Sequence, residues 1–402
     1  MDSRQAAIEI IMVLRSHGFE ALLAGGCVRD MLLGHEPKDY DVATDAQPDQ
    51  VIRLFRRTLK IGAKFGVVVV LIDGQQIEVA TFRQDLGYDD GRRPTSVRFS
   101  SAREDALRRD FTINGMFYDP LERKVIDYVE GQADLKARII RTIGSPEQRF
   151  AEDYLRMLRA IRFSAQLGFG IEPNTYQAIC SNASKIVQIS GERISMELEG
   201  ILTSRGRAGG ISLMVSSGVA GAIFPGLDRA SLEKATVVLS HMRGQVCYPL
   251  GLAGMFAFCQ TEAALDACEV LRPSRSQVRH LRFLLEHRGV LTGPGLTKGQ
   301  LRLLMGQPYF WDLYALQKAI ERAKKADLGP LVRVRRMIRE LAGVEIRPKP
   351  LLDGHDLMRL GIEPGPALGR IAERLYMAQL EGQIKDKDQA RQLVLQWLAG
   401  RA

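Results

Sequence analysis

Asp39 and Asp41, one residue apart in HEPKDYDVAT (35–44), are the first residues of this chain whose types and spacing suggest chemistry. On a strand, side chains alternate faces, so residues i and i+2 point the same way, about 6.5–7 Å apart. Two carboxylates placed like that repel each other unless a cation stands between them. Mg²⁺ suits the position, because it takes one or two carboxylates and fills its remaining sites with water and substrate phosphates. A solvated turn is the alternative, and the neighbouring residues must decide. Glu78, in IEVATFR, lies on a predicted returning strand that pairing would bring beside Asp41. It is either a third acid of the site or an exposed strand residue. Two Mg²⁺ held by such acids would activate an attacking hydroxyl and steady a leaving pyrophosphate.

Three further stretches carry matching chemistry. In GGCVRD, Gly25 and Gly26 join a predicted strand to a helix, which exposes N–H groups to a phosphate with no Cβ in the way, and Arg29 adds a cation one turn later. In RRDFTIN (108–114), read as opening or lying early on a helix, Arg109 can meet a phosphate. Asp110 and Asn114, at i and i+4, then share a face able to hold a ribose hydroxyl. In AEDYLRMLRAIRF, steps of three and four residues put Glu152, Asp153, Arg156, Arg159 and Arg162 on one polar stripe, while Leu155, Leu158 and Ile161 line a side to be buried. Salt bridges on a solvated face are the plain reading of that stripe. The sharper one follows from hydrogen-bond inventories: Asp accepts from an exocyclic amine and Arg donates to a bare ring nitrogen. Cytosine and adenine present that pair of groups, whereas uracil and guanine present the inverse. An Asp153–Arg156 pair would therefore select C and A with no nucleic-acid template, and Arg159 and Arg162 would take phosphates or orient Asp153.

The elements that must position these residues are legible in outline. An amphipathic helix over the first 18 residues precedes an ALLAGG strand, a helix from Cys27, the DYDVAT strand and a helix from PDQVIRLF. VVVVLIDGQQIEVATF reads as a hairpin about Asp73-Gly74. Residues 84–100 are polar and glycine-bearing, read as a mobile segment. From 103 the character turns helical, interrupted by a β-like KVIDYVEG. Ser145-Pro146-Glu147-Gln148 is a helix start, with Ser as N-cap, Pro at N1 and Gln at N3. After 205 only amphipathic helices follow. The fold class expected is α+β, a small mixed-sheet head followed by an all-α remainder.

Size and composition agree. The 402 residues suffice for two to four domains, 46% are hydrophobic and 26% charged, and no apolar run of about 18 residues signals a membrane span. The N-terminus lacks a signal-peptide pattern. Five cysteines with no C-x-x-C pair argue for reduced thiols in the cytoplasm and against a disulfide frame or zinc site. A net charge of +9 suits a polyanionic partner if the arginines stand where phosphates lie.

GGCVRDMLLG, KDYDVAT, IEVATFRQD, YDDGRRPTSVRF, RRDFTIN and EDYLRMLRAIRF occur in an order and spacing that resembles the class II tRNA nucleotidyltransferases, the CCA-adding enzymes. These belong with bacterial poly(A) polymerases to the polymerase-beta-like nucleotidyltransferase superfamily. The motifs span about 25–200; GERISMELEGIL (191–202) and the tail after 350 also look like the family's, the tail less diagnostically. The resemblance implies Mg²⁺ on Asp39 and Asp41, phosphates near Gly25, Gly26 and Arg29, ribose discrimination by the RRD element, and base selection by Asp153 and Arg156 with Arg159 and Arg162 in support. It implies head (1–138), neck (139–205), body (206–345) and tail (346–402), arranged as a seahorse. The tRNA 3′ end would be the partner, held by salt-sensitive backbone contacts, with CTP and ATP as substrates. The alanine- and glycine-rich stretch after 204 is not distinctive, so the body's limits stay open, as does the oligomeric state. Three activities stay open too: addition of C, C and A, or of the terminal A alone, or polyadenylation. In the family, CC-only enzymes lack a working loop where 84–100 is intact here, and the poly(A) polymerases tend to carry long basic extensions that this chain lacks. A non-catalytic RNA-binding protein with a decayed head is a further class, disfavoured because the candidate acids and base readers are all present.

Overall fold

The computed structural model describes residues 1–60, 65–88 and 94–400, without side chains for 85–88, 94 and 95. In chain order the first part runs α1 (Ser3–Ser16), β1 (Ala21–Ala24), α2 (Gly26–Leu32), β2 (Asp41–Thr44), α3 (Pro48–Leu54), β3 (Thr58–Leu59), β4 (Val67–Ile72), β5 (Gln75–Thr81), β6 (Arg83–Tyr88), β7 (Pro94–Phe99), α4 (Ala102–Arg108), β8 (Phe117–Asp119), β9 (Lys124–Ile126), α5 (Gly131–Ala137) and β10 (Ile139–Ile140). Then come α6 (Pro146–Glu152), α7 (Leu155–Leu167), β11 (Gly170–Ile171), α8 (Pro173–Asn182), α9 (Gly191–Leu202), α10 (Arg207–Ser216) and α11 (Val219–Ile223). The remainder is helical: α12 (Arg229–His241), α13 (Tyr248–Met255), α14 (Thr261–Cys268), α15 (Arg275–Glu286), α16 (Lys298–Met305), α17 (Phe310–Ala323), α18 (Gly329–Glu340), α19 (Gly354–Arg359), α20 (Pro366–Leu380) and α21 (Lys387–Ala399). Two compact units result, Met1–Arg229 with Ala267–Pro273, and Ala230–Asp266 with Ser274–Ala402.

The first unit is built on a seven-stranded mixed sheet in the order β3-β4-β5-β2-β1-β8-β9. β1 runs antiparallel to β2 and β8, and β2 is parallel to β5. The β4–β5 hairpin turns at Asp73-Gly74, both at positive φ (44° and 78°), as a tight hairpin turn requires. Helix α1 lies on β1, β2 and β5. It buries Ala6, Ala7, Ile10, Ile11 and Leu14, a 3.6-residue stripe, and Asp2 caps it through Gln5. On the other side Leu22, Ala43, Phe82, Ala106 and Phe117 form a core with Phe82 edge-on to Phe117 at 5.7 Å. In the helical half, α7 packs against α9 and α10. A Cβ on Gly200 would stand 2.4 Å from the Arg162 side chain, so glycine sets the close approach of α9 to α7.

The structure departs from the sequence expectations in several places. Residues 84–100 are not wholly loop: β6 and β7 pair antiparallel from Arg83↔Phe99 to Tyr88↔Pro94, and 89–93 lie outside the described residues. The RRD element does not open a helix. It ends one: α4 stops at Arg108, Arg109 is extended (φ −68°, ψ 166°), and Thr112–Asn114 is a 3₁₀ turn. Nor is the 152–162 stripe one helix. Asp153 is extended (φ −157°, ψ 105°) between α6 and α7, because its carboxylate accepts from the Leu155 N–H at 3.0 Å and starts a new helix. The helical half also contains a two-residue parallel pair, β10 with β11.

In the second unit α13 is buried at all eight of its residues. Its C-terminal part closes over its own core, in which Leu357, Ile371, Leu375, Ala390 and Val394 come from α19, α20 and α21. Among the described residues no helix is long and apolar enough to cross a membrane.

Candidate active site

β1 delivers the chain into Gly25, whose φ of +74° and ψ of −126° belong to glycine, and α2 starts at the next residue with no side-chain cap. A Cβ on Gly25 would meet Arg109 Nη1 at 2.8 Å; one on Gly26 would make only ordinary contact at 3.7 Å. The two glycines are thus unequal, and Gly25 alone needs its type. Gly25→Ala is expected to lose about 1–2 kcal/mol of stability from backbone strain, read as a fall in Tm. Gly26→Ala should leave Tm within a degree or so.

Asp41 begins β2 opposite Ala24, and Asp39 stands in the segment that leads into it, not on the strand itself. Because Val42 pairs with Val79 in the parallel β2–β5 ladder, Glu78 flanks Asp41 from the next strand. The electrostatics record this cluster. The Asp41 carboxyl is pushed up to about 6 by desolvation first, then by Glu78 and Asp39, with Arg109 alone opposing. Three acids with one nearby cation form a site short of positive charge. An all-oxygen donor set of that kind suits a hard divalent ion.

The wall facing these acids is built of arginines held by buried carboxylates. Asp105, 1% exposed, takes Arg108 through Oδ1 (2.8 and 2.6 Å) and Arg109 through Oδ2 (3.1 and 2.9 Å). Burial alone would raise its carboxyl, but the Arg109 and Arg108 charges outweigh this and hold it below the ordinary value. Asp110 likewise opposes burial with Arg159, whose Nε and Nη2 donate to Oδ2 at 2.8 and 2.6 Å, and with the Phe111 N–H on Oδ1 at 2.9 Å. Asn114 bridges, accepting from Arg29 Nη1 at 2.7 Å and donating to Asp110 at 3.4 Å. Asp105→Ala should cost about 2 kcal/mol. That is less than the 3–5 typical of a fully buried pair, because both guanidiniums keep some access to water. Acid unfolding gives a second check. Carboxyls depressed in the folded state stabilise fully above their unfolded value of about 3.9 and lose that contribution as pH falls through the folded value. The Asp105→Ala variant should accordingly show a weaker acid transition below about pH 4.

On α7, Arg156 pairs with Glu152 and donates to the Arg149 carbonyl at 2.9 Å, Arg159 reaches Asp110, and Arg162 pairs with Glu197 of α9. The side chain that grips Asp153 is Arg193 of α9, at 2.6 Å on Oδ2. Phe163, 6% exposed, offers its ring to three guanidiniums, with Arg162 at 4.2 Å, Arg29 at 5.2 Å and Arg159 at 5.5 Å from the centroid.

These groups enclose one cavity of about 900 Å³, where eight arginines face four aspartates (Asp39, Asp41, Asp110 and Asp153). Of the residues anticipated from sequence, Gly25, Gly26, Arg29, Asp39, Asp41, Arg109, Asp110, Asn114, Asp153, Arg156, Arg159 and Arg162 all line it. Glu78 acts on Asp41 from the adjoining strand instead. Sequence reasoning missed Asp105, Phe163, Arg193 and Glu197. The spacing Asp105, Arg108, Arg109 (i, i+3, i+4) was a usable signal for the first. Arg193 and Glu197, four residues apart in GERISMELEG, face α7 only because α9 packs on it.

The chain is similar to known proteins along its length. A family model described as "Poly A polymerase head domain" matches residues 21–141, and another, "Probable RNA and SrmB- binding site of polymerase A", matches 168–231. A CCA-adding enzyme of Levilactobacillus brevis is 33% identical over 393 residues, 96% of each chain. One from Geobacillus sp. is 48% identical over 216 residues, 54% of this chain and 53% of that relative. Among solved structures, the Bacillus stearothermophilus CCA-adding enzyme in complex with CTP superposes with a TM-score of 0.82 at 29% identity, covering 100% of this chain and 99% of that one.

Proposed function

This chain belongs to the CCA-adding enzyme family, a family of nucleotidyltransferases, and from that premise we propose that it adds C, C and A to tRNA 3′ ends from CTP and ATP, releasing pyrophosphate. The observation that carries the proposal is the single cavity in which the Asp39–Asp41 acid cluster, the Gly25 turn and the arginines of α7 meet. Nucleotidyl transfer in this family is typically metal-dependent. We assign Mg²⁺ to Asp39 and Asp41, with Glu78 adding negative charge beside them. When bound, the ion supplies charge neutralisation at the reacting phosphate and at the departing pyrophosphate.

The remaining work falls to the chain's own side chains. Arg29 and Arg109 receive phosphates at the Gly25 turn, and Asp105 keeps Arg109 aimed there. We assign the ribose to Asp110 and Asn114, whose side chains are oriented by Arg159 and Arg29. Asp153 accepts from the exocyclic amine of C or A, and Arg156 donates to the ring nitrogen. Arg193 holds the Asp153 carboxylate in place through Oδ2, and Oδ1 takes the Leu155 N–H, so each carboxylate oxygen has a second lone pair for a base. We retain head (1–138), neck (139–205), body (206–345) and tail (346–402) as the functional division, with the basic helical body and tail along the tRNA backbone, and place the enzyme in the cytoplasm.

The test uses the purified chain, Mg²⁺, labelled CTP or ATP, and three RNAs. A tRNA ending at the discriminator base should gain C, C and A, and a tRNA ending in CC should gain one A. A generic RNA should gain nothing. Success only on the CC-ended tRNA would make the enzyme A-only. Long A tails on generic RNA without use of CTP would make it a poly(A) polymerase.

A further inference from the structure

Away from this cavity, in the second unit, three metal-ligating side chains converge from three elements. Cys247 is the N-cap residue of α13, His280 lies on α15 and Asp312 on the first turn of α17. The Cys247 thiol donates to Asp312 Oδ2 at 3.3 Å, and His280 Nε2 lies 3.0 Å from that same oxygen. All three ligand atoms stand within 4.8 Å of one another. His280 is 9% exposed and its ring is stacked on Tyr309, with centroids 4.0 Å apart and planes 12° from parallel. Its Nε2 is buried and, although close to Asp312, makes no aligned hydrogen bond. The imidazole nitrogen and the thiol thus converge on one carboxylate oxygen, which gathers three different donor atoms at a single point.

We propose that Cys247, His280 and Asp312 form a zinc site, with a water completing a tetrahedron on the exposed Cys247 side. Zinc takes thiolate at about 2.3 Å, imidazole at about 2.0–2.1 Å and carboxylate at about 2.0–2.2 Å. Tetrahedral ligands at those lengths stand about 3.3–3.6 Å from each other, so the observed 3.0 and 3.3 Å need open by only a few tenths of an ångström. One soft, one intermediate and one hard donor select zinc over magnesium or calcium. The ligands are 33 and 32 residues apart, so no short cysteine motif announces them. Metal entry displaces the thiol proton now given to Asp312, because a coordinating thiol is bound as thiolate. The bound ion would tie the N-terminus of α13 to α15 and α17.

The full chain, stripped with a chelator and reloaded, tests this with Co²⁺ and Zn²⁺ as probes. One equivalent of Co²⁺ should give a thiolate-to-metal charge-transfer band and tetrahedral d–d bands, both lost on adding Zn²⁺. Zn²⁺ binding, followed by competition with a chromophoric chelator, should release about one proton per ion near neutral pH. Cys247→Ser should abolish the charge-transfer band, and Asp312→Asn should weaken Zn²⁺ binding at least tenfold. Cys247 is exposed, so its variant should fold normally. A melting curve that Zn²⁺ raises for the parent and not for Cys247→Ser gives a readout independent of the nucleotide cavity. No charge-transfer band, or equal Zn²⁺ affinity in parent and Cys247→Ser, would overturn the site.

Discussion

Asp41→Asn is expected to lower nucleotide addition about a thousandfold or more while leaving the fold intact. The substitution keeps the shape and removes one of the two charges proposed to hold the ion. Several kcal/mol of transition-state charge stabilisation go with it, and each 1.36 kcal/mol is a factor of ten in rate. Stability should move the other way. In metal-free protein the Asp41 carboxyl is pushed up to about 6, by desolvation and then by Glu78 and Asp39. A carboxyl raised on folding costs stability above its folded value and returns it as pH falls toward its unfolded value. With a chelator present, the parent should therefore gain stability between pH 7 and pH 4, and Asp41→Asn should lack that gain while melting no lower at pH 7. Single-turnover addition to a CC-ended tRNA, with melting curves beside it, measures both. Nucleotide addition within tenfold of the parent would remove Asp41 from the metal site.

Asp153→Ala is expected to collapse the choice among bases. The preference for CTP over UTP, taken as the ratio of kcat/KM values on a tRNA ending at the discriminator base, should fall about a hundredfold, near 2.7 kcal/mol at 1.36 kcal/mol per factor of ten. The loss is large because a site built to hydrogen-bond a base leaves its own polar groups unpaired with the wrong one. Arg193→Ala separates reading from holding. Asp153 keeps its carboxylate but loses its 2.6 Å partner, so turnover with CTP and ATP should drop while preference over UTP falls less. An unchanged CTP-to-UTP ratio in a well-folded Asp153→Ala variant would show that the base is read elsewhere.

Much of the site was legible as separate segments. The turn at Gly25, the hairpin that carries Glu78 and the arginines of α7 follow from local rules: glycine between strand and helix, a tight Asp-Gly turn, and steps of three and four on helices. The acids at 39 and 41 were read as strand neighbours, but only Asp41 is on β2, and Asp39 reaches the same cavity from the segment before it. Where the reading failed, a local hydrogen bond competed with a pattern that looked continuous. The extended Asp153, whose carboxylate accepts from the Leu155 N–H, breaks the 152–162 stripe, and Arg109 leaves α4 extended, which turns RRDFTIN from a helix start into a helix end. Residues 84–100 read as loop from composition, yet β6 and β7 pair with each other, because strand pairing depends on a partner more than on intrinsic preference.

By itself the sequence determined the residue types and their local spacing, and these were enough to indicate the chemistry: paired acids for a hard cation, a glycine turn for phosphate, and Asp and Arg side chains for an amine beside a bare nitrogen. Tertiary structure alone decided which charges answer one another. Asp153 is held by Arg193 forty residues away, Asp110 by Arg159 forty-nine residues away, and Glu197 draws Arg162 across from α7. Ion-pair partners are chosen by distance in space. That distance is set by how β2 pairs with β5 and how closely Gly200 lets α9 approach α7, neither of which is written in any one segment.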